Sequence, residues 1–179
     1  MKRLFNDGWE FTKQPLFTKI EEMLERQEAF APVGLPHDWL IYQANDLYED
    51  STGWYRRVLD YKKQADEKIF LYFEGIYMDS HIYVNPRENS EAVFEWKYGY
   101  SSFEVELTPY LKAGKNEIWV SVDHQSPNTR WYSGAGIYRN VWLKTVHEKY
   151  IATDSIYFHA EKTDGDVWDI MISAEALGG

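Results

Sequence analysis

The chain of 179 residues has room for one domain of ordinary size and a short piece of a second, and its 44% hydrophobic and 27% charged residues belong to a globular protein, not a disordered or membrane-embedded one. A formal net charge of −10 without clustered Lys and Arg excludes nucleic acid and anionic membranes as partners, because phosphate binding depends on concentrated positive charge. The lack of cysteine excludes disulfides and thiolate-bound zinc, while 17% aromatic residues point to ring-filled sheet cores and to surfaces able to stack on sugars.

Met1-Lys2-Arg3 runs straight into polar sequence with no apolar leader, and no segment is apolar for long enough to span a bilayer, so a cytoplasmic location is the expectation. Thr18 followed by Glu21 reads as a capping box, and Ile20, Met23, Leu24 and Gln27 recur at helical spacing. One short amphipathic helix is predicted there, with Glu21, Glu22, Glu25, Arg26 and Glu28 on a solvated face. Pro32, Gly34 and Pro36 are expected to end it and begin a loop.

Beyond this loop the chain is dominated by short alternating runs. Strands are predicted at Trp54 to Tyr61, around Ile69, Leu71 and Phe73, at His81 to Asn85, and at Ala92 to Lys97. The second of these is apolar on both sides, with Phe70 and Tyr72 opposite the first three, as a strand buried on both faces requires. Ser102 to Leu107 alternates Phe103, Val105 and Leu107 against Glu104 and Glu106; Ile118, Val120 and Val122 repeat the pattern after the turn Ala113-Gly114-Lys115-Asn116; Asn140 to Val146 is a further run. That is enough strands for two packed sheets. Near residue 147 the organisation changes, with a polar junction and then two runs, Asp154 to Ala160 and Asp166 to Ala174, joined by a turn at Thr163-Asp164-Gly165. A lone hairpin is marginal in water, so these two runs look like the opening strands of an interrupted second β-domain.

Eight segments, in order, resemble the sugar-binding domain that opens family 2 glycoside hydrolases. They are Phe5-Asn6-Asp7-Gly8-Trp9-Glu10-Phe11, Leu35-Pro36-His37-Asp38-Trp39, Thr52-Gly53-Trp54-Tyr55-Arg56-Arg57 and Phe73-Glu74-Gly75-Ile76-Tyr77-Met78-Asp79-Ser80. They continue through Tyr83-Val84-Asn85, Tyr98-Gly99-Tyr100-Ser101-Ser102-Phe103, Leu107-Thr108-Pro109-Tyr110-Leu111 and Asn128-Thr129-Arg130-Trp131-Tyr132-Ser133-Gly134-Ala135-Gly136-Ile137-Tyr138-Arg139. The resemblance implies an all-β, jelly-roll β-sandwich of the galactose-binding-domain-like type over residues 1–148. It implies that residues 149–179 begin a truncated immunoglobulin-like domain, with a (β/α)₈ catalytic barrel beyond. The wording of the Ser133 to Arg139 stretch is closer to the β-galactosidase branch than to the β-glucuronidases, which leaves a β-glucuronidase-type parent as the alternative. A second alternative is an independent carbohydrate-binding module. One departure stands out: Asn85 is followed by Pro86 where the family has Asn-Gly, so a longer, mobile loop is expected at that edge.

Retaining glycosidases need two carboxyl groups roughly 5 Å apart, and in the family both come from the barrel, so no catalytic residue is assigned here. Asn116-Glu117 resembles the family's Asn-Glu dipeptide but lies in a turn leading into a strand. Arg130, Trp131 and Tyr132 combine a cation with two stackable rings in a Gly-rich loop, and the family resemblance brings that loop towards the barrel's active site. They are read either as rim contacts with substrate or as packing against the barrel. His37 and Asp38 are read as a loop-fixing pair or as substrate contacts, and Arg139 as a buried anchor of the loop. The remaining histidines are isolated, and the chain itself shows no cofactor or metal site. The implied partners are a β-glycoside substrate and the parent's own barrel, in a parent that is a homo-oligomer.

Overall fold

The computed structural model describes residues 1–26, 29–41, 48–62, 64–127, 129–131 and 134–178. Two antiparallel sheets face one another. The six-stranded sheet has the order β3 (Ala31–Val33), β2 (Trp9–Pro15), β4 (Ser51–Tyr61), β9 (Gly114–His124), β6 (Ser80–Val84), β7 (Phe94–Trp96). The four-stranded sheet has the order β1 (Lys2–Leu4), β10 (Val141–His147), β5 (Glu67–Phe73), β8 (Phe103–Glu106). From β4 onward the chain repeatedly crosses between the sheets, which is the connectivity of a jelly-roll sandwich.

The alternation in the sequence determines which side chains lie between the sheets. Ile118, Val120, Val122, Ile82 and Val84 from one sheet meet Leu71, Phe73, Phe103, Val105, Val141 and Leu143 from the other, all buried. Each such side chain contributes roughly 1.5–3 kcal/mol by leaving water. The strand around Leu71 is covered on its outer face too: Phe70 lies under the Tyr150 ring and the Lys144 ammonium, and Tyr72 lies under Lys2.

The helix α1 (Ile20–Glu25) packs on the outer face of the six-stranded sheet, where Ile20 and Met23 bury against Trp54, Tyr83 and Trp119. Its start is one residue later than the capping pattern predicts. Thr18 Oγ1 bonds back to Pro15 O (2.7 Å), and Glu22, not Glu21, reaches the Lys19 amide (3.2 Å). Gln27 and Glu28 lie outside the described residues. Pro32 falls inside β3 and not in a loop; β3 is an edge strand, where a missing N–H is tolerated.

The Asn85-Pro86 connection is longer than a two-residue turn, as expected, but it is anchored. Asn85 itself takes the positive φ (51°), its carbonyl accepts from Glu88 N, and its side chain bonds Asn116 Oδ1 and Glu117 N. Beyond the sandwich, Tyr150–Ile151 (β11) pairs with Ala176–Leu177 (β14), and β12 (Tyr157–Asp164) pairs with β13 (Val167–Ser173) in a hairpin. The hairpin turn lies one to two residues later than read from sequence, at Gly165 and Asp166, because Thr163 and Asp164 belong to β12. Trp168, Ile170 and Ile172 are exposed, and so are Val167 and Met171 on the other face.

Strands β4 and β6 begin at the end of the sandwich where β5, β7 and β9 finish, as the pairings Ser51–His124, Ser80–Trp96 and Phe73–Val141 show. The loops carrying His37, Tyr77, Tyr98 and Trp131 therefore emerge from one end.

Candidate functional site

The centre of that end is the Gly-rich segment just before β10. On one side its backbone accepts from His37 N at Ile137 O (2.8 Å) and from Trp39 N at Ala135 O (3.1 Å). On the other, Gly136 exchanges a pair of bonds with Tyr77 (2.8 and 2.9 Å). Three loops thus form a short continuation of the sheet beyond the strand ends. Gly136 has φ +125°, and a Cβ there would sit 2.4 Å from Tyr55 Oη and 2.6 Å from His37 O, so only glycine fits.

Asp38 is buried, and its Oδ1 accepts from Leu40 N (3.0 Å) and Ala135 N (3.1 Å). One carboxylate oxygen thereby ties the 34–41 loop to the Gly-rich segment. His37 is half-buried, with Nδ1 2.8 Å from Tyr55 Oη and its ring against Phe11. Burial lowers the His37 pKa, partly offset by the Asp38 carboxylate, so the imidazole stays neutral at pH 7. Burial pushes the Tyr55 phenol well up, so it remains a protonated hydrogen-bonding partner. Both groups hold the loop; neither is arranged as an exposed acid or base.

The opening motif of the chain joins the same framework. Asn6 Nδ2 donates to Asn140 Oδ1 (2.9 Å), Asn6 Oδ1 accepts from Val141 N (2.9 Å), and Glu74 accepts from Asn140 Nδ2 and Trp142 Nε1. Glu49 is a hub that sequence reasoning misses. Its Oε1 accepts from Trp39 Nε1 (2.9 Å) and Ser51 Oγ (3.0 Å), its Oε2 pairs with Lys13 (2.7 Å), and its carbonyl lies 2.7 Å from His124 Nδ1. These hydrogen bonds and Lys13 hold the Glu49 pKa below its ordinary value of 4.5, outweighing the opposing and larger single effect of burial.

Above this framework stand the exposed groups. Trp131 is 79% exposed and Arg130 is exposed, while Trp131 N bonds Thr129 Oγ1 (3.1 Å). Tyr132 lies outside the described residues. The predicted site residues therefore divide by depth: His37 and Asp38 fix the loop from within, and Arg130 and Trp131 present a guanidinium and an indole to solvent. Arg139 is not the buried anchor expected; it is exposed with its guanidinium 5.4 Å from the Tyr138 ring, and Tyr138 Oη makes the tie instead, to Gly99 O (2.8 Å).

Asn116-Glu117 lies at the opposite end. Asn116 is fully buried, with Nδ2 bonded to Lys112 O and Gly114 O, and Glu117 accepts from Trp119 Nε1. The Asn116 side chain builds the turn, and the Glu117 side chain serves the Trp119 indole within β9. Among the described residues no group of three or more His, Asp or Glu is placed to hold a metal ion.

Residues 15–147 match the family model described as glycosyl hydrolases family 2, sugar binding domain. A beta-galactosidase of Bacteroides ovatus is 37% identical over 145 residues, covering 73% of this chain and 16% of its own length. A putative beta-glucuronidase of Formosa agariphila is 30% identical over 188 residues, covering 97% of this chain and 18% of its own. Among solved structures, a putative beta-galactosidase from Bacteroides fragilis superposes with a TM-score of 0.82 at 26% identity, over 99% of this chain and 28% of that one. The chain spans less than a third of the length of each of these relatives. On the strength of its sandwich, its interlocked loops and these matches, the chain belongs to glycosyl hydrolase family 2, as that family's sugar-binding domain.

Proposed function

We propose that this chain is the N-terminal, non-catalytic domain of a β-galactosidase-type retaining glycosidase, and that its loop-bearing end frames the substrate cleft of a catalytic barrel carried by the rest of the parent protein. The observation that carries this reading is Trp131, 79% exposed beside a Gly-rich segment that backbone and Asp38 bonds tie to two other loops. A large ring exposed to water beside that segment suits the C–H face of a sugar, and the neighbouring Arg130 supplies donors for its hydroxyls. Among the described residues of this end, the Asp38 carboxylate is committed to two backbone amides and the Glu49 carboxylate to Trp39, Ser51 and Lys13, so neither is placed as the acid or nucleophile that retention requires. The chemistry is therefore assigned to the barrel, with β12 and β13 as opening strands of an intervening immunoglobulin-like domain that covers Trp168, Ile170 and Ile172.

The galactose preference rests on the Ser133 to Arg139 wording and on the greater identity to the Bacteroides ovatus beta-galactosidase than to the Formosa agariphila protein. It is tested by assaying the full-length parent on chromogenic β-galactoside and β-glucuronide. Higher kcat/KM on the galactoside is expected; preference for the glucuronide transfers the chain to the other branch, and activity on neither refutes the reading.

A further inference from the structure

Resting on the reading of residues 149–179 as the opening of a second domain, we propose that the outer face of the four-stranded sheet is the seat of that domain. The seat is keyed by the Lys144 ammonium, shared between Glu104 on the sheet and Thr153 on the junction. Register places Phe70 beside Lys144, and Tyr72 between Trp142 and Glu104, so the face is too apolar at its centre to stand in water. Phe70 points outward yet is only 5% exposed, because the Tyr150 ring lies over it at 5.6 Å. Lys144 passes over the Phe70 ring (5.3 Å) to reach Glu104 Oε2 (3.0 Å), leaving Glu106 to Lys68 (3.5 Å). The ammonium also donates to Thr153 Oγ1, which in turn donates to Glu104 (2.9 Å). The side chains of Lys144 and Glu104 are only 16% and 18% exposed.

What sits on this face is the root of the second unit. β11, whose Tyr150 covers Phe70, pairs with β14, and Ala152 N bonds Glu175 O (2.9 Å). Ser155 Oγ donates to Ala152 O (2.8 Å) and accepts from Glu175 N (3.2 Å). The chain therefore leaves for the β12–β13 hairpin and returns from it at one place. There Tyr72, Phe103 and Glu104 of the sheet face Tyr150, Thr153 and Leu177 across a cavity of about 290 Å³. At the margin Glu148 N bonds Asp66 O (2.8 Å), in the turn that precedes β5. A partly buried ion pair with a third hydrogen-bonding partner tolerates one geometry, since a displaced partner leaves a charge unmatched. The joint thereby fixes the direction in which the second domain leaves the sandwich.

The test is amide exchange in the full-length parent, with Glu104→Gln on the sheet and Thr153→Val on the junction. Each variant is expected to speed exchange about three- to ten-fold at Ala152 and across β14, with β9 unchanged. The two together should do little more than the worse one alone, because they break the same cluster. Thr153→Val lies outside the sandwich, so its effect is not that of a misfolded sheet. Unchanged exchange in both variants, acceleration that stops short of β14 or extends equally to β9, or fully additive effects overturns the seat while leaving the two-domain reading standing. Wild-type exchange over β12 and β13 at the rate of an unstructured chain overturns that reading and the seat with it.

Discussion

Replacing Asp38 separates a loop-fixing carboxylate from a chemical one. Its Oδ1 is the acceptor for Leu40 N at 3.0 Å and Ala135 N at 3.1 Å, in a residue 5% exposed. Asp38→Ala leaves two buried amides without an acceptor, at about 1–3 kcal/mol each, or roughly 2–5 kcal/mol in total once partial relaxation is allowed. At a central urea dependence of about 2 kcal/mol per molar, the unfolding midpoint falls by roughly 1–2.5 M. Asp38→Asn keeps an oxygen in the same place and is expected to cost about 1 kcal/mol or less. Urea unfolding of this chain gives the two stabilities, and amide exchange at Leu40 and Ala135 locates the damage. If Asp38→Ala costs less than about 0.5 kcal/mol, or if Asp38→Asn is as damaging as alanine, the carboxylate is not the tie described.

Gly136→Ala combines a positive φ with a Cβ 2.4 Å from Tyr55 Oη, so a loss of at least about 2 kcal/mol is expected on urea unfolding, with increased exchange at the His37 and Tyr77 amides; a loss below about 0.5 kcal/mol refutes the close approach. The Glu49 carboxyl is held below its ordinary 4.5 when folded, so its contribution to stability is present above that value and is lost as pH falls through the folded pKa. The wild type should therefore exceed Glu49→Gln in melting temperature at pH 7, and the gap should close in acid; a gap independent of pH shows that the ion pair with Lys13 is not its source. This chain alone is expected to release no chromophore from a β-galactoside, measured against the full-length parent. Turnover by the chain, retained in Glu117→Gln, contradicts the placing of both acids elsewhere.

The sandwich is legible because its strands have one wet face. Alternation at Phe103, Val105 and Leu107, and at Ile118, Val120 and Val122, reports the core directly, and these residues are buried together. Reasoning from local chemistry fails where tertiary contacts offer a better partner. Thr18 caps back onto Pro15 and so yields the helix start to Lys19 and Glu22, and Pro32 is accommodated because β3 has no outer neighbour. Asn85 takes the positive φ that Pro86 cannot, and its side chain finds Asn116 and Glu117 across the sheet. The site is half legible. His37 and Asp38 are marked by their motif, and the alternative of loop fixing is the one the hydrogen bonds favour. Glu49 gives no signal, because Lys13, Trp39, Ser51 and His124 converge on it from separate segments and no spacing along the chain encodes that meeting. Arg139 misleads because arginine after a Gly-rich turn suggests an anchor, whereas the neighbouring Tyr138 makes the tie and leaves the guanidinium in water.

Trp131→Ala in the full-length parent, assayed on a β-galactoside with melting followed in parallel, puts the framing role to its sharpest trial. A ring that meets substrate at the rim predicts a KM raised about three- to ten-fold, a kcat little changed and an unaltered melting temperature. An unchanged KM, or a loss of stability in its place, contradicts a rim that meets the sugar.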